Sequence, residues 1–344
     1  MASLVQRLLL HDDPCVRFRT LVDVCGMSED SERAAREREQ IPASDRARAL
    51  LSTCGRDGRM PSVYGKYTGA HWTLSCLADM GYPAGDERLV PLRDQVCEYW
   101  LSPERTRERV VEREAARHKS RAGVPVIAGR ARRCASQEGN ALYAMLALGL
   151  ADERADQLAA NLVRWQWPDG GWNCDRRTSA HTSSFHETLL PLRGLAWHAE
   201  ATGSVASRQA AERSAEPFLQ RRLFRRRSDG AVIHDSFLKL RYPHYWYYDI
   251  LIALKVMAEA GYLADARCEE ALDILESKRL PDGGWRAEGK HYRVVSEPAN
   301  GGSLADWGPV TRRQVMNPFV TLDALSVLCS AGRLTLSLAA LPEQ

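Results

Sequence analysis

Cys174, Asp175, His181, His186 and Glu187 gather a thiol, two carboxylates and two imidazoles into one short stretch, 174–187. A soft thiolate with imidazoles is a donor set that suits zinc. His244 opens a later apolar run, so Cys174, His186 and His244 are the candidate metal ligands. Without a metal, His186 and Glu187 could do acid–base work, with Asp175 and His244 as further proton carriers. Neighbours on a helix point in different directions, so only one of His186 and Glu187 can face a given cavity. A hydrogen-bonded polar mouth, with Cys174 packed as a small apolar residue, is the plainer reading of the same residues.

A second constellation is PHYWYYDIL, residues 243–251. Trp246, Tyr247 and Asp249 are candidate substrate contacts, because aromatic faces stabilise cations; Tyr245 and Tyr248 read more readily as core. A third is KYTGAHW. There Lys66 could hold an anion, Tyr67 and Trp72 could form a wall, and His71 could be an acid or base. A lone histidine in an apolar helix is more often a core residue. Gln137, Glu138 and Asn140 open another apolar run beside Cys134. Gln137 and Asn140 are candidate contacts, whereas Glu138 suits a helix N-terminus. Finally, 288–307 could fold over the mouth as a lid hinged at Gly301-Gly302, bringing in Trp307. No dinucleotide-binding, Walker, HExxH or G-x-S-x-G pattern occurs, which disfavours nucleotide cofactors and α/β-hydrolase chemistry.

These residues need helices to hold them, and the chain supplies helices in a repeat. WQWPDGGWNCD (165–175) and LESKRLPDGGW (275–285) each read as a helix end, a proline, an Asp-Gly-Gly turn and a tryptophan. CGRDGRM (54–60) and RRRSDGAV (225–232) are weaker copies. Apolar helices at 14–26, 67–81, 136–150, 184–201, 244–261 and 317–331 alternate with amphipathic ones at 43–54, 86–102, 152–166, 205–223 and 264–279. A buried layer inside a half-exposed one predicts an all-α (α/α)6 toroid, built as one domain over 1–344. Residues 1–42 would be a helical segment packed on the ring, with 2–10 closing it against the last inner helix. The basic stretch 103–133 would be helical to His118. AVIHDSFLKL, near residue 235, is the one strand candidate. The long connections 167–183, 224–243 and 280–315 all enter inner helices, so a site is expected on that rim.

The Asp-Gly-Gly-Trp turns, each followed by a loop and an apolar helix such as SSFHETLLPLRGL or NPFVTLDALSVL, resemble those of the terpenoid cyclase and protein prenyltransferase superfamily. The resemblance spans about residues 43–331 and implies the toroid. It also implies an enzyme acting on a small hydrophobic, isoprenoid-like or natural-product substrate in the central cavity. The Asp-x-Asp-Asp acid of class II cyclases is missing. The zinc set of the prenyltransferases, an Asp and a Cys before one inner helix and a His at the start of a later one, has an approximate counterpart in Cys174 and Asp175 before one inner helix, His186 within it and His244 at the start of the next. The adjacent Cys-His pair of lanthionine-forming cyclases is absent.

Bulk composition narrows the classes further. A net charge of +3 is too mild for nucleic-acid binding. Arginines cluster in 105–133 and 221–227, as solvated faces or as a rim that attracts a diphosphate. Nine cysteines without a CxxC pair suit a reducing compartment. The N-terminal apolar run is too short for a signal peptide, and no run reaches membrane-spanning length. A cytoplasmic protein is expected, without membrane insertion. Three readings stay open: an enzyme, using zinc or no cofactor; a small-molecule receptor; and a partner-dependent subunit docked through 103–133.

Overall fold

The structure is a computed structural model that describes residues 2–111, 123–311 and 313–335. It is mostly helical. Helix α1 (Ala2–Leu9) lies on α2 (Pro14–Arg19) and on the π turn that continues α2 over Thr20–Val24. Two charged helices follow, α3 (Glu32–Gln40) and α4 (Asp45–Leu51). Apolar and amphipathic helices then alternate: α5 (Ala70–Asp79), α6 (Val90–Trp100), the single turn α7 (Pro103–Thr106), α8 (Ala135–Ala147) and α9 (Glu153–Trp165). The alternation continues through α10 (Phe185–Thr202), α11 (Val205–Leu219), α12 (Ile250–Glu259), α13 (Glu269–Ser277) and α14 (Pro318–Ser330).

Packing follows the apolar pattern. The most buried helices pack in succession: α5 on α8, α8 on α10, α10 on α12, α12 on α14, and α14 back onto α2 and its π turn. The ring of Phe18 in α2 rests against Gly81, just beyond α5. The amphipathic helices lie outside this series, α6 on α5 and α8, α9 on α8 and α10, α11 on α10 and α9, and α13 on α12. Gly139 of α8 and Gly194 of α10 let two backbones touch. A Cβ on Gly139 would stand 2.3 Å from the nitrogen of Pro191, and one on Gly194 2.5 Å from the Gly139 carbonyl oxygen. Between the helices lie buried ion pairs: Asp323 with Arg19 at 2.6 Å and Lys255 at 2.9 Å, and Arg193 with Glu259 at 2.6 Å and Asp79 at 2.9 Å.

The repeat has a physical basis. Gly58, Gly170, Gly230 and Gly283, one in each Asp-Gly turn, all take positive φ. Trp172 and Trp285 are fully buried. Each indole N–H donates to an outer-helix carbonyl ten residues earlier, Leu162 at 3.0 Å and Leu275 at 2.7 Å. Each backbone N–H donates to a threonine hydroxyl in the first turn of the next inner helix, Thr188 at 3.1 Å and Thr321 at 2.9 Å. The turn therefore fastens an outer helix to the inner helix that follows it.

Three local expectations change. Residues 244–248 form a turn, because the Asp249 carboxylate accepts the N–H groups of Leu251 and Ile252 and so starts α12 later than the apolar run suggests. The stretch after α7 is extended rather than helical: β1 (Glu108–Val110) pairs in parallel with β2 (Val124–Ile127), which pairs with β3 (Arg130–Ala131). The remainder of the expected helix to His118 lies outside the described residues. Near residue 235 the chain makes one 3-10 turn, Asp235–Leu238, instead of a strand. The long connection 280–315 carries a small parallel pair, β4 (Arg293–Val294) with β5 (Gly302–Ser303).

Candidate functional site

The residues singled out for chemistry mostly lie where α5, α8, α10 and α12 begin. Their starts are built differently. At α5, the Ala70 and His71 N–H groups donate to the carbonyls of Ser62 and Val63, which folds 62–67 back across the helix end. At α8, the N–H and hydroxyl of Ser136 both donate to Glu187 Oε2, at 3.1 and 2.9 Å. A carboxylate on α10 thus caps its neighbour.

Aromatic side chains from these starts meet in one cluster. Tyr64 packs against Trp72 and edge-on to Trp100, with centroids 5.3 and 5.7 Å apart. Tyr67 stacks on Tyr245 at 3.9 Å, and its hydroxyl bonds to Tyr247. Trp246 stacks on Tyr247 at 4.2 Å, and Lys66 Nζ sits 5.0 Å from the Trp246 ring centre. His186 is half-buried among Phe237, Trp246, Tyr247 and Tyr248. Burial, with a small push from His234, holds its pKa below the ordinary 6.5. The connection 280–315 closes the cluster: the Tyr67 N–H donates to Gly302 O at 2.9 Å.

Polar atoms inside this cluster are poorly matched. His71 is fully buried and accepts the Trp100 indole N–H on Nδ1 at 3.3 Å. Burial pushes its pKa down to about 3, and the Gln137 amide facing it opposes only in part. His71 Nε2, Gln137 Oε1, His244 Nε2 and His291 Nε2 are all buried without a partner of good hydrogen-bond geometry. Buried polar atoms are nearly always paired, so their concentration here marks a place where a ligand's polar groups could be received.

Beside Tyr64 stands a tighter group. Cys134 Sγ, Cys174 Sγ and a Glu187 carboxylate oxygen all lie within 4.8 Å of one another. Cys134 precedes α8 and Cys174 sits in the loop before α10. Cys174 is driven well above the ordinary thiol pKa, first by its hydrogen bond with Cys134, then by burial and by Glu187. Burial raises the pKa of Glu187, against the hydrogen bonds from Ser136 and Cys174. The nearby guanidinium, Arg133, is held by Glu138 through two bonds of 2.8 and 2.7 Å.

The remaining candidates are placed as follows. Cys174, His186 and His244 do not converge: Cys174 joins Cys134 and Glu187, His186 is among rings, and His244 Nε2 is 3.4 Å from Asp249 Oδ1. Among the described residues, the set Cys134, Cys174 and Glu187 has the metal-ligand spacing, and two thiols with a carboxylate fit zinc. Asp175 is bound by Arg177 at 2.5 Å, and His181 is exposed. Asn140 donates to Ser75 at 2.7 Å, and Asp249 serves as the α12 cap. Trp307 is fully buried against Phe319 and Tyr242, with its N–H on Ser303. Sequence reading did not single out Tyr64, Ser136 or Cys134 as site residues. The one available signal was that Cys134, like Cys174, falls just ahead of an apolar run.

No protein-family model matches the chain, and no curated protein matches it. Among solved structures, the chain is similar to the type II terpene cyclase MstE from Scytonema, at 14% identity with a TM-score of 0.25 over 84% of this chain and 97% of that one. An arginine variant of MstE, in complex with geranylgeranyl dihydroxybenzoate as substrate, gives 16% identity and a TM-score of 0.24 over 84% and 96%.

Proposed function

We propose that the helices form an (α/α)6 toroid, and that the chain is an enzyme acting on a small hydrophobic, isoprenoid-like substrate at the rim where the inner helices begin. The observation that carries this is the aromatic cluster around poorly matched buried polar atoms. Tyr64, Trp246 and Tyr247, half-buried and backed by the buried Tyr67 and Trp72, are suited to meet an apolar chain and a positive charge developing on it. Lys66, above Trp246, is suited to an anionic group on the substrate. His186 has a lowered pKa and is neutral near pH 7, so its free imidazole nitrogen can accept a proton lost from a carbon next to a cationic centre. That transfer leaves an alkene and an imidazolium. Glu187 has another role, since its carboxylate is committed to Ser136 and Cys174.

The test is a titration of the full chain with isoprenoid alcohols and diphosphates of increasing length, followed by tryptophan fluorescence. Saturable quenching that Trp246→Phe weakens is expected. His186→Ala should keep binding and lose turnover of any member that reacts. An absence of binding across the whole series would remove this reading.

A further inference from the structure

We propose that Cys134, Cys174 and Glu187 hold a zinc ion at the rim of the ring. Two thiols and a carboxylate are packed together, with Cys134 exposed, Cys174 half-buried and Glu187 7% exposed. Arg133 attracts both Cys134 and Glu187, but its side-chain hydrogen bonds to a carboxylate go to Glu138 as a bidentate pair. Two arrangements are open to the group: protonated thiols hydrogen-bonded to one another and to the carboxyl, or all three ionised around a divalent metal. The donor set favours the second. Thiolates and a carboxylate together are a zinc set, and three protein donors leave one tetrahedral position for a fourth ligand. Sulfurs each about 2.3 Å from zinc would be roughly 3.8 Å apart, within the 4.8 Å spread of the group.

The supporting groups fit as well. Ser136 fixes one carboxylate oxygen with two hydrogen bonds, as partners of metal-bound carboxylates do. The two thiols sit on different segments, before α8 and before α10, and α8 and α10 pack together closely through Gly139 and Gly194. Binding displaces one proton from each thiol, and a third from Glu187 where it is protonated, so uptake should strengthen as pH rises. This proposal does not depend on the enzymatic reading, and a chain without turnover could still bind the ion.

The experiment uses the full chain, produced without a metal-binding tag, stripped by a chelator and kept reduced without oxygen. Cobalt(II) is titrated in, then zinc. One cobalt per chain is expected, with a thiolate-to-cobalt charge-transfer band that stoichiometric zinc abolishes. Cys134→Ser and Cys174→Ser should each lower the band and weaken affinity at least tenfold. Glu187→Gln should keep the band and weaken affinity. No cobalt uptake by a chain whose circular dichroism is helical would overturn the proposal, and so would a band unchanged in both serine variants. Because those variants could fail to fold, alkylation of the native chain is followed by peptide mass spectrometry in parallel. Zinc should slow labelling of both Cys134 and Cys174, and equal rates with and without zinc would refute the site.

Discussion

His291 lies flat on Tyr247, with ring centroids 3.3 Å apart and planes 10° from parallel. This stack joins the long connection before α14 to the aromatic turn before α12, and Tyr247 in turn stacks on Trp246. The connection therefore supports the wall of the proposed site from outside. His291→Ala should weaken binding of an apolar ligand about tenfold, which corresponds to ~1.4 kcal/mol, with the helical circular dichroism unchanged. Fluorescence titration checks this; equal affinity in the variant would show that the stack does not shape the site.

Acid should destabilise the fold through its buried imidazoles. Burial lowers His71 to about 3 and His291 to about 4. Both lie below the ordinary 6.5, so the unfolded chain takes up the proton first as pH falls. Their contribution is complete above about pH 6.5, declines below it, and levels off near pH 3 to 4. For His71 alone the loss between pH 7 and pH 5 is about 2 kcal/mol. Urea midpoints at the two pH values for wild type and His71→Gln measure it. A variant with the same drop as wild type would contradict the assignment.

The Trp–Thr fastening predicts a graded pair of effects. Trp285→Ala should cost roughly 3–5 kcal/mol, because a fully buried indole is lost. Thr321→Val removes only the hydroxyl that accepts the Trp285 N–H and donates to its carbonyl at 3.1 Å, and should cost about 1–3 kcal/mol. Thr321→Ser should recover most of that. Denaturant unfolding of the three variants tests the order, and a Thr321→Val chain as stable as wild type would argue that the hydroxyl is idle.

Gly139→Ala should be among the most damaging small changes. The added carbon would stand 2.3 Å from Pro191 N and 2.5 Å from the Leu190 carbonyl oxygen, and backbone cannot swing away. Gly203→Ala is the contrast. Nothing lies within 4 Å of its added carbon, so the penalty there comes from φ of +72° alone. Thermal unfolding should show the larger loss for Gly139→Ala, although Gly139 sits inside a helix, where alanine is intrinsically preferred.

The sequence by itself determined the helical repeat. Asp-Gly turns, apolar periodicity and the recurring tryptophans are local patterns, and local patterns dictate where helices form and which face they bury. The long connections entering α10, α12 and α14 were also visible as lengths of chain. Tertiary structure decided which side chains meet. Cys134 and Glu187 are 53 positions apart in the chain (187 minus 134), and only the close approach of α8 and α10 at Gly139 brings them to one point. His186 adjoins Glu187 in sequence, yet it turns to the rings while Glu187 turns to the thiols, since neighbours on a helix diverge. The start of α12 was likewise set by a cap rather than by hydrophobicity, which left Tyr245, Trp246 and Tyr247 in a turn where their rings could gather. Pairing across helices depends on crossing geometry, and no spacing along one strand of sequence encodes that directly.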